Sequence, residues 1–356
     1  MSNKTRVAVL FGGKSTEHEV SRKSAYTILT HMPAEYETIA IGITKDGAWF
    51  AYFGDLAKIP TGEWENTKEK RALSIGTGAD IPAGLFYIDG DEAKPLAVDV
   101  FFPVLHGMYG EDGTVQGLFE LLGVPYVGCG VGDSAVSMDK SMTKLLVSTA
   151  GIRQADFVLV DRHNKNDLAP IMDESERKLG YPVFVKPCKS GSSVGVTKAT
   201  DRKSLEEGLA HALKFDDRIL IEEGVNAREL ECAVLETKDG FVAEVGEVVS
   251  AIEFYDYDAK YNNPSSQTVL YPDVSPEIEA EIREKALRIF KLLDCKGLSR
   301  VDFFLDRDTG EVVFNEINTL PGFTNISMFP MLMKKHGLSL EDVIKELVEL
   351  TLYRTA

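Results

Sequence analysis

Residues 299–318, SRVDFFLDRDTGEVVFNEIN, place acidic, amide and guanidinium side chains at intervals suited to metal chemistry. Two strand-like runs flank Asp308-Thr309-Gly310, read as a three-residue hairpin loop with glycine where a left-handed backbone is favoured. Closing that loop with Arg307 opposite Glu311 sets Asp302 opposite Glu316 and Arg300 opposite Asn318. Strand side chains alternate between faces, so these four project together. Directly opposed Cβ atoms lie about 4.5–5.5 Å apart. Two carboxylates that close repel each other unless a cation lies between them. An Mg²⁺ ion held by one or two carboxylates and by nucleotide phosphates meets that need. Arg300 beside them can neutralise charge developing on a transferred phosphoryl or acyl oxygen. The bland alternative is a solvated polar face; Phe304 and Phe314, expected on the same face, argue against it.

A phosphate grip is the natural companion of such a site. Lys186 ends an apolar strand and precedes Pro187, and Lys189-Ser190-Gly191-Ser192-Ser193-Val194-Gly195 follows. Small residues let backbone N–H groups approach phosphate oxygens while the lysines supply charge. Lys140, near a helix start, is by itself an ordinary solvated lysine, and the Gly/Ser loop by itself is often a plain turn. Glu222, Glu223, Val225 and Glu229 follow the next strand; taken alone they read as surface residues, although carboxylates there can accept hydrogen bonds from an adenine amino group or ribose hydroxyls. Two other glycine motifs fail. Gly13-Lys14-Ser15 lacks the P-loop's first glycine, having Ala8 there, and Gly128-Cys129-Gly130 lacks the last glycine of a dinucleotide fingerprint, having Asp133.

The elements that must carry these groups alternate strand and helix. Arg6–Leu10, Thr38–Ile43 and Val98–Leu105 read as buried strands, with helices over Glu19–Met32 and Gly113–Leu122, an order that argues for a parallel, Rossmann-like sheet. Phe50–Asp91 carries no clear pattern. A second unit starts near Gly128, with a helix over Asp139–Ala150, the strand Pro182–Lys186 and a helix bearing Leu205, Leu209 and Leu213. A third starts at the strand Arg218–Glu222 and includes a long loop over 251–272, a helix over Pro276–Leu293, the hairpin and a last helix, Leu340–Leu352, behind Ser339 as N-cap. Loops as long as 251–272 are commonly lids or disordered segments. A lid protects a reactive intermediate from water.

The chain has 356 residues and a formal net charge of −17, which disfavours nucleic acid and anionic membranes as partners. Its four scattered cysteines suit reduced thiols, and its N-terminus has no leader-like apolar stretch, so a cytoplasmic location is expected.

Eight segments taken in order resemble the ATP-grasp superfamily, and within it the D-alanine–D-alanine ligases: LFGGKSTEHEVS (10–21), LHGMYGEDGTVQG (105–117), GVPYVGCG (123–130), SMDK (137–140), VKPCKSGSSVG (185–195), FYDYDAKY (254–261), SRVDFFL (299–305) and NEINTLPGFT (315–324). The resemblance implies an α/β chain: an N-terminal Rossmann-like domain (1–128), then a two-subdomain ATP-grasp fold (129–221 with the Ser/Gly loop, 222–356 with an omega-type lid at 251–272 and the metal site). It implies ATP and two Mg²⁺ ions, with Mn²⁺ as a substitute. Lys140 and Lys186 would contact the phosphates, Glu222, Glu223, Val225 and Glu229 would line the adenosine pocket, and Asp302, Glu316 and Asn318 would bind the metal. Glu17 would hold the ammonium of a first D-alanine, near His106; Arg300 and the backbone of Gly322 would face the oxyanion. Lys260, Ser327 and the backbone of Met328 would receive the second carboxylate, and Ser192 and Tyr261 would link with Glu17 to close the lid. The family is usually homodimeric. The implied reaction forms D-alanyl phosphate and then D-alanyl-D-alanine for peptidoglycan. The loop YDYDAKY favours D-alanine over D-serine or D-lactate as second substrate. A non-catalytic ATP-binding regulator and an NAD-dependent oxidoreductase are the competing classes. His18 stands where some members carry arginine.

Overall fold

A computed structural model describes residues 4–76, 84–249 and 267–355. The described residues form three sheets. The N-terminal sheet runs β6-β5-β4-β3-β2-β1-β7, with β1 Arg6–Gly12, β2 Glu37–Ile43, β3 Trp49–Tyr52, β4 Lys70–Gly76, β5 Gly84–Asp89, β6 Glu92–Leu96 and β7 Val100–Pro103. Only β2, β1 and β7 are parallel. The remaining pairs are antiparallel, so the sheet is mixed rather than wholly parallel. The cause is local: Thr44 N–H bonds the Ala48 carbonyl at 2.9 Å across a tight turn, and a connection that short can only reverse the chain. The patternless stretch after Phe50 supplies this antiparallel extension. Helix His18–Thr30 covers one face of the sheet, and helix Thr114–Leu122 covers the other through Val115, Phe119 and Leu122.

The middle sheet is antiparallel and ordered β10-β9-β11-β8, with β8 Phe157–Val160, β9 Val183–Pro187, β10 Thr197–Ala199 and β11 Ile219–Glu223. Thus β11 is an inner strand here, not the first strand of the third unit. Leu205 and Leu209 of helix Arg202–Ala212 pack with Ile171 and Met172 of helix Ala169–Lys178 beneath it.

The third sheet runs β14-β13-β12-β15-β16, with β12 Ala227–Thr237, β13 Gly240–Val249, β14 Gln267–Val269, β15 Leu298–Asp306 and β16 Val312–Asn318. Helix Pro276–Leu292 buries Ile282, Ala286, Ile289 and Phe290 against Leu230, Cys232, Phe303 and Phe314. By alternation the opposite face carries Glu229, Glu231, Arg300 and Asp302.

The hairpin reaches its register by a route the sequence does not display. Asp306 and Glu311 close the turn (Asp306 N–H to Glu311 O, 3.0 Å), leaving four residues in the loop rather than three. The Asp306 carboxylate accepts the N–H groups of Asp308 and Thr309 at 2.8 and 3.2 Å, which stabilises the wider turn. Phe303 then pairs with Phe314, but Asp302 pairs with Glu316 and Arg300 with Asn318, because the register shifts between Asp302 and Phe303. Asn315 is the unpaired extra residue of a β-bulge. Without it, Glu316 and Asn318 would turn to the core face. Phe314 does lie on that core face, fully buried, and not beside Asp302.

Helix Leu340–Thr355 starts at a reciprocal cap: Asp342 N–H bonds Ser339 Oγ at 3.1 Å, and Ser339 N–H bonds the Asp342 carboxylate at 2.9 Å. Its Val343, Ile344, Leu347 and Val348 share one core with Val7, Val9, Val100 and Phe102 of the N-terminal sheet. Among the described residues, no helix is long and apolar enough to cross a membrane.

Candidate active site

A cleft opens at the carboxyl ends of β1 and β7, where parallel strands leave their binding crevice. Gly12 and Gly13 turn the chain out of β1 with φ of 89° and 93°. A Cβ on Gly12 would lie 2.1 Å from the Ile43 carbonyl oxygen. Ser15 Oγ donates to the His106 carbonyl at 2.8 Å and accepts Glu17 N–H at 3.1 Å, fixing Glu17 before helix His18–Thr30. Ser192 Oγ donates to Glu17 Oε1 at 2.6 Å, so the Ser/Gly loop of the middle sheet rests on the N-terminal carboxylate. A Cβ on Gly107 or Gly191 would fall 2.7 or 3.0 Å from Glu17 Oε2. Both positions are bare where the carboxylate needs room. Ser192 and Ser193 hold positive φ, 49° and 58°, a strained backbone of the kind found at ligand clamps.

Of the lysines, Lys140 lines the same cleft. Lys140 Nζ donates to the Ser190 carbonyl at 2.8 Å and lies 3.3 Å from Glu316 Oε2. Glu222 is buried between Lys186, which pairs with its Oε2, and Lys144, 2.6 Å from its Oε1. Burial alone would raise the Glu222 carboxyl, but the two ammonium groups outweigh it and hold the pKa at about 2. Burial dominates at Lys144 and lowers it, whereas at Lys186 burial is outweighed by Glu222 and the pKa is raised. Glu223 Oε1 accepts from Arg153 at 2.7 Å and from Asp156 N–H at 3.0 Å. Val225 and Glu229 are half-buried just beyond it.

On the third sheet Arg300 makes a bidentate pair with Asp302 at 2.8 and 2.7 Å, and its Nε lies 3.1 Å from Glu231 Oε2. Burial opposes the guanidinium charge, yet Asp302 and Glu231 prevail and raise its pKa. Asn318 Nδ2 donates to Asp302 Oδ2 at 3.0 Å. Among the described residues no three His, Cys, Asp or Glu side chains converge to hold a metal ion by themselves. Asp302, Glu316 and the amide oxygen of Asn318 form an oxygen-only set, the chemistry that suits a hard divalent cation completing its shell with phosphates and water.

Past β16 the chain is pinned to the N-terminal unit. Glu111 accepts Gly107 N–H at 2.8 Å and Leu320 N–H at 2.9 Å. His106 Nδ1 lies 3.0 Å from the Leu320 carbonyl, so that nitrogen is the donor; Nε2 accepts from Ser24 Oγ at 3.0 Å. Ser24 Oγ in turn accepts Phe323 N–H at 3.2 Å. Desolvation and the charge of Glu17 push the Glu111 carboxyl up to about 7. Gly322 lies against Ser327, whose Oγ would be 2.7 Å from an added Cβ. Helix Met328–His336 begins behind Ser327, whose N–H bonds the Thr324 carbonyl at 2.9 Å; the Met328 N–H is one of the helix's first-turn donors without an intrahelical acceptor, while the Met328 side chain is buried.

The structure therefore brings Glu17, Lys140, Ser192, Glu316 and Asn318 to one cleft. Lys260, Tyr261 and most of the expected lid lie outside the described residues. His18 is buried with Nδ1 against the Gly13 carbonyl at 2.8 Å and Nε2 3.4 Å from Glu65, so it braces the Gly12-Gly13 turn. Sequence reasoning missed Glu111, Glu231 and Lys144. Glu231 follows Glu229 at strand spacing, and Lys144 follows Lys140 by one helical turn, so both had a signal.

Family models described as D-ala D-ala ligase N-terminus and D-ala D-ala ligase C-terminus match residues 6–129 and 146–349. A D-alanine–D-alanine ligase of Clostridium novyi (strain NT) is 50% identical over 356 residues, covering 99% of each chain. The crystal structure of the VanG D-Ala:D-Ser ligase from Enterococcus faecalis superposes with a TM-score of 0.88 at 39% identity, covering 98% of this chain and 100% of that one. The D-alanine–D-alanine ligase from Coxiella burnetii gives 0.85 at 31%, covering 99% and 96%.

Proposed function

The chain belongs to the D-alanine–D-alanine ligase family of the ATP-grasp superfamily, and from that premise we propose how its residues join two D-alanines at the expense of ATP. The carrying observation is the Ser192–Glu17 hydrogen bond, 2.6 Å, which closes the phosphate loop over the carboxylate that receives the first substrate's ammonium. That substrate's carboxylate attacks the γ-phosphorus; the bond to ADP breaks and D-alanyl phosphate forms. Lys140 and Lys186 hold the phosphates, and Glu222, Glu223, Val225 and Glu229 line the adenosine side. Bound at Asp302, Glu316 and Asn318, two Mg²⁺ or Mn²⁺ ions would neutralise phosphate charge. The neutral amine of the second D-alanine then attacks the acyl carbon; as the tetrahedral adduct collapses the C–O bond to phosphate breaks, and the nitrogen's extra proton leaves with the phosphate. Arg300 and the Gly322 N–H face the oxyanion. Lys260, Ser327 and the Met328 N–H hold the second carboxylate, with His106 beside the first substrate and Tyr261 completing the lid. Much of the acceleration comes from holding two amino acids in register.

A coupled ADP-release assay with D-alanine, D-serine and D-lactate at two pH values tests this. D-alanine alone should support turnover; nucleotide binding without phosphate release would mark a non-catalytic regulator. D-serine as second substrate is the other reading, favoured by the likeness to a D-Ala:D-Ser ligase. The product serves peptidoglycan precursor synthesis. We further propose units 1–128, 129–221 and 222–356, joined at β11, and a cytoplasmic homodimer. Exposed Leu121 on helix Thr114–Leu122 and exposed Met142 and Leu145 on helix Lys140–Thr149 support the dimer.

A further inference from the structure

We propose that Glu111 is a positioning residue which sets the oxyanion-facing loop Thr319–Phe323 at a fixed distance from the ammonium-binding carboxylate Glu17. The inference rests on the reading that Gly322 and Glu17 serve the same substrate. Glu111 spans two peptide groups from opposite sides of the cleft: Gly107 N–H at 2.8 Å, in the loop whose Cα abuts Glu17, and Leu320 N–H at 2.9 Å, two residues before Gly322. The same peptide is held at its other end, since His106 Nδ1–H donates to the Leu320 carbonyl at 3.0 Å. The chain of bonds continues with one polarity. Ser24 O–H donates to His106 Nε2 at 3.0 Å, and the same oxygen accepts Phe323 N–H at 3.2 Å.

Gly322 thus sits between two backbone anchors, Leu320 and Phe323, both tied to side chains of the N-terminal unit. Glu231 and Asp302 orient Arg300 from the third sheet itself. On the far side of Gly322 the chain is tied locally, Thr324 N–H to Ser327 Oγ at 3.0 Å, while Glu111, His106 and Ser24 hold Leu320 and Phe323 from the N-terminal unit. The carboxylate accepts the two N–H groups one on each oxygen; glutamine offers one oxygen and turns an NH₂ toward the other N–H.

The test is Glu111→Gln in the full chain, measuring dipeptide, phosphate, ATP affinity and thermal stability together. Dipeptide turnover should fall on the order of 10²-fold while ATP affinity stays within about twofold. Phosphate released per dipeptide should rise above unity, because acyl phosphate facing a displaced loop is lost to water. Ser24→Ala should uncouple in the same direction, and the double variant should lose less than the product of the single losses. Wild-type turnover and coupling in Glu111→Gln would overturn the proposal. So would a parallel loss of ATP affinity and thermal stability, which marks a folding role, or fully multiplicative losses in the double variant. A wild-type protein that releases no ADP with D-alanine sinks the functional reading itself, and this proposal with it.

Discussion

At the scale of single residues, the cleft is organised by carboxylates whose neighbours are chosen for them. Ser192→Ala removes a hydrogen bond to a charged group, worth about 1.5–3 kcal/mol, so turnover should drop roughly 10- to 100-fold with nucleotide binding kept. Glu316→Ala should abolish turnover; wild-type rates in that variant would dispose of the metal assignment. Glu222 gives a pH signature. Its folded pKa, about 2, lies below the ordinary 4.5, so its stabilisation is full above 4.5 and is lost as pH falls toward about 2. Lys144→Met leaves Lys186 as its remaining ammonium partner and should destabilise the fold by about 3–5 kcal/mol at pH 7. The gap in urea midpoint between Lys144→Met and wild type should shrink as pH falls from 7 to 3; a constant gap would exclude the linkage. Glu17, Lys140 and Asp302 were legible because motif and strand alternation are local. Glu111 was not, since its partner Leu320 is 209 residues away and no spacing announces it.

At the scale of elements, the hairpin shows how a right register can follow from a wrong turn. The sequence signals two strands and a left-handed Gly310, but loop length and bulge position depend on Asp306 capping its own turn and on the extra residue Asn315. A one-residue underestimate of the loop and an unseen one-residue bulge cancelled at Asp302–Glu316 and failed at Phe314. Deleting Asn315 should swing Glu316 and Asn318 into the core, abolishing activity and lowering Tm by several degrees. One extra residue inserted at Thr309, on the exposed side of the bulge, should leave turnover nearly unchanged. Assay and calorimetry of the two variants separate bulge from turn. The N-terminal sheet teaches the converse: alternation of strand and helix identified its parallel centre, while the short antiparallel extension lacked the long apolar runs that announce buried strands.

At the scale of the whole molecule, separate sheets do not mean separate folding units. Val7 and Val9 near the start of the chain and Leu347 and Val348 near its end lie in one core, all buried. Leu347→Ala should cost about 2–5 kcal/mol. It should lower one shared calorimetric transition and not split off a C-terminal melt. That shared core has a consequence for how the protein is made. Synthesis is vectorial, and the strands that leave the ribosome first wait for the final helix before their apolar face is covered. An N-terminal fragment released early should therefore be captured by chaperones, and the nascent chain should become protease-resistant only after helix Leu340–Thr355 has emerged.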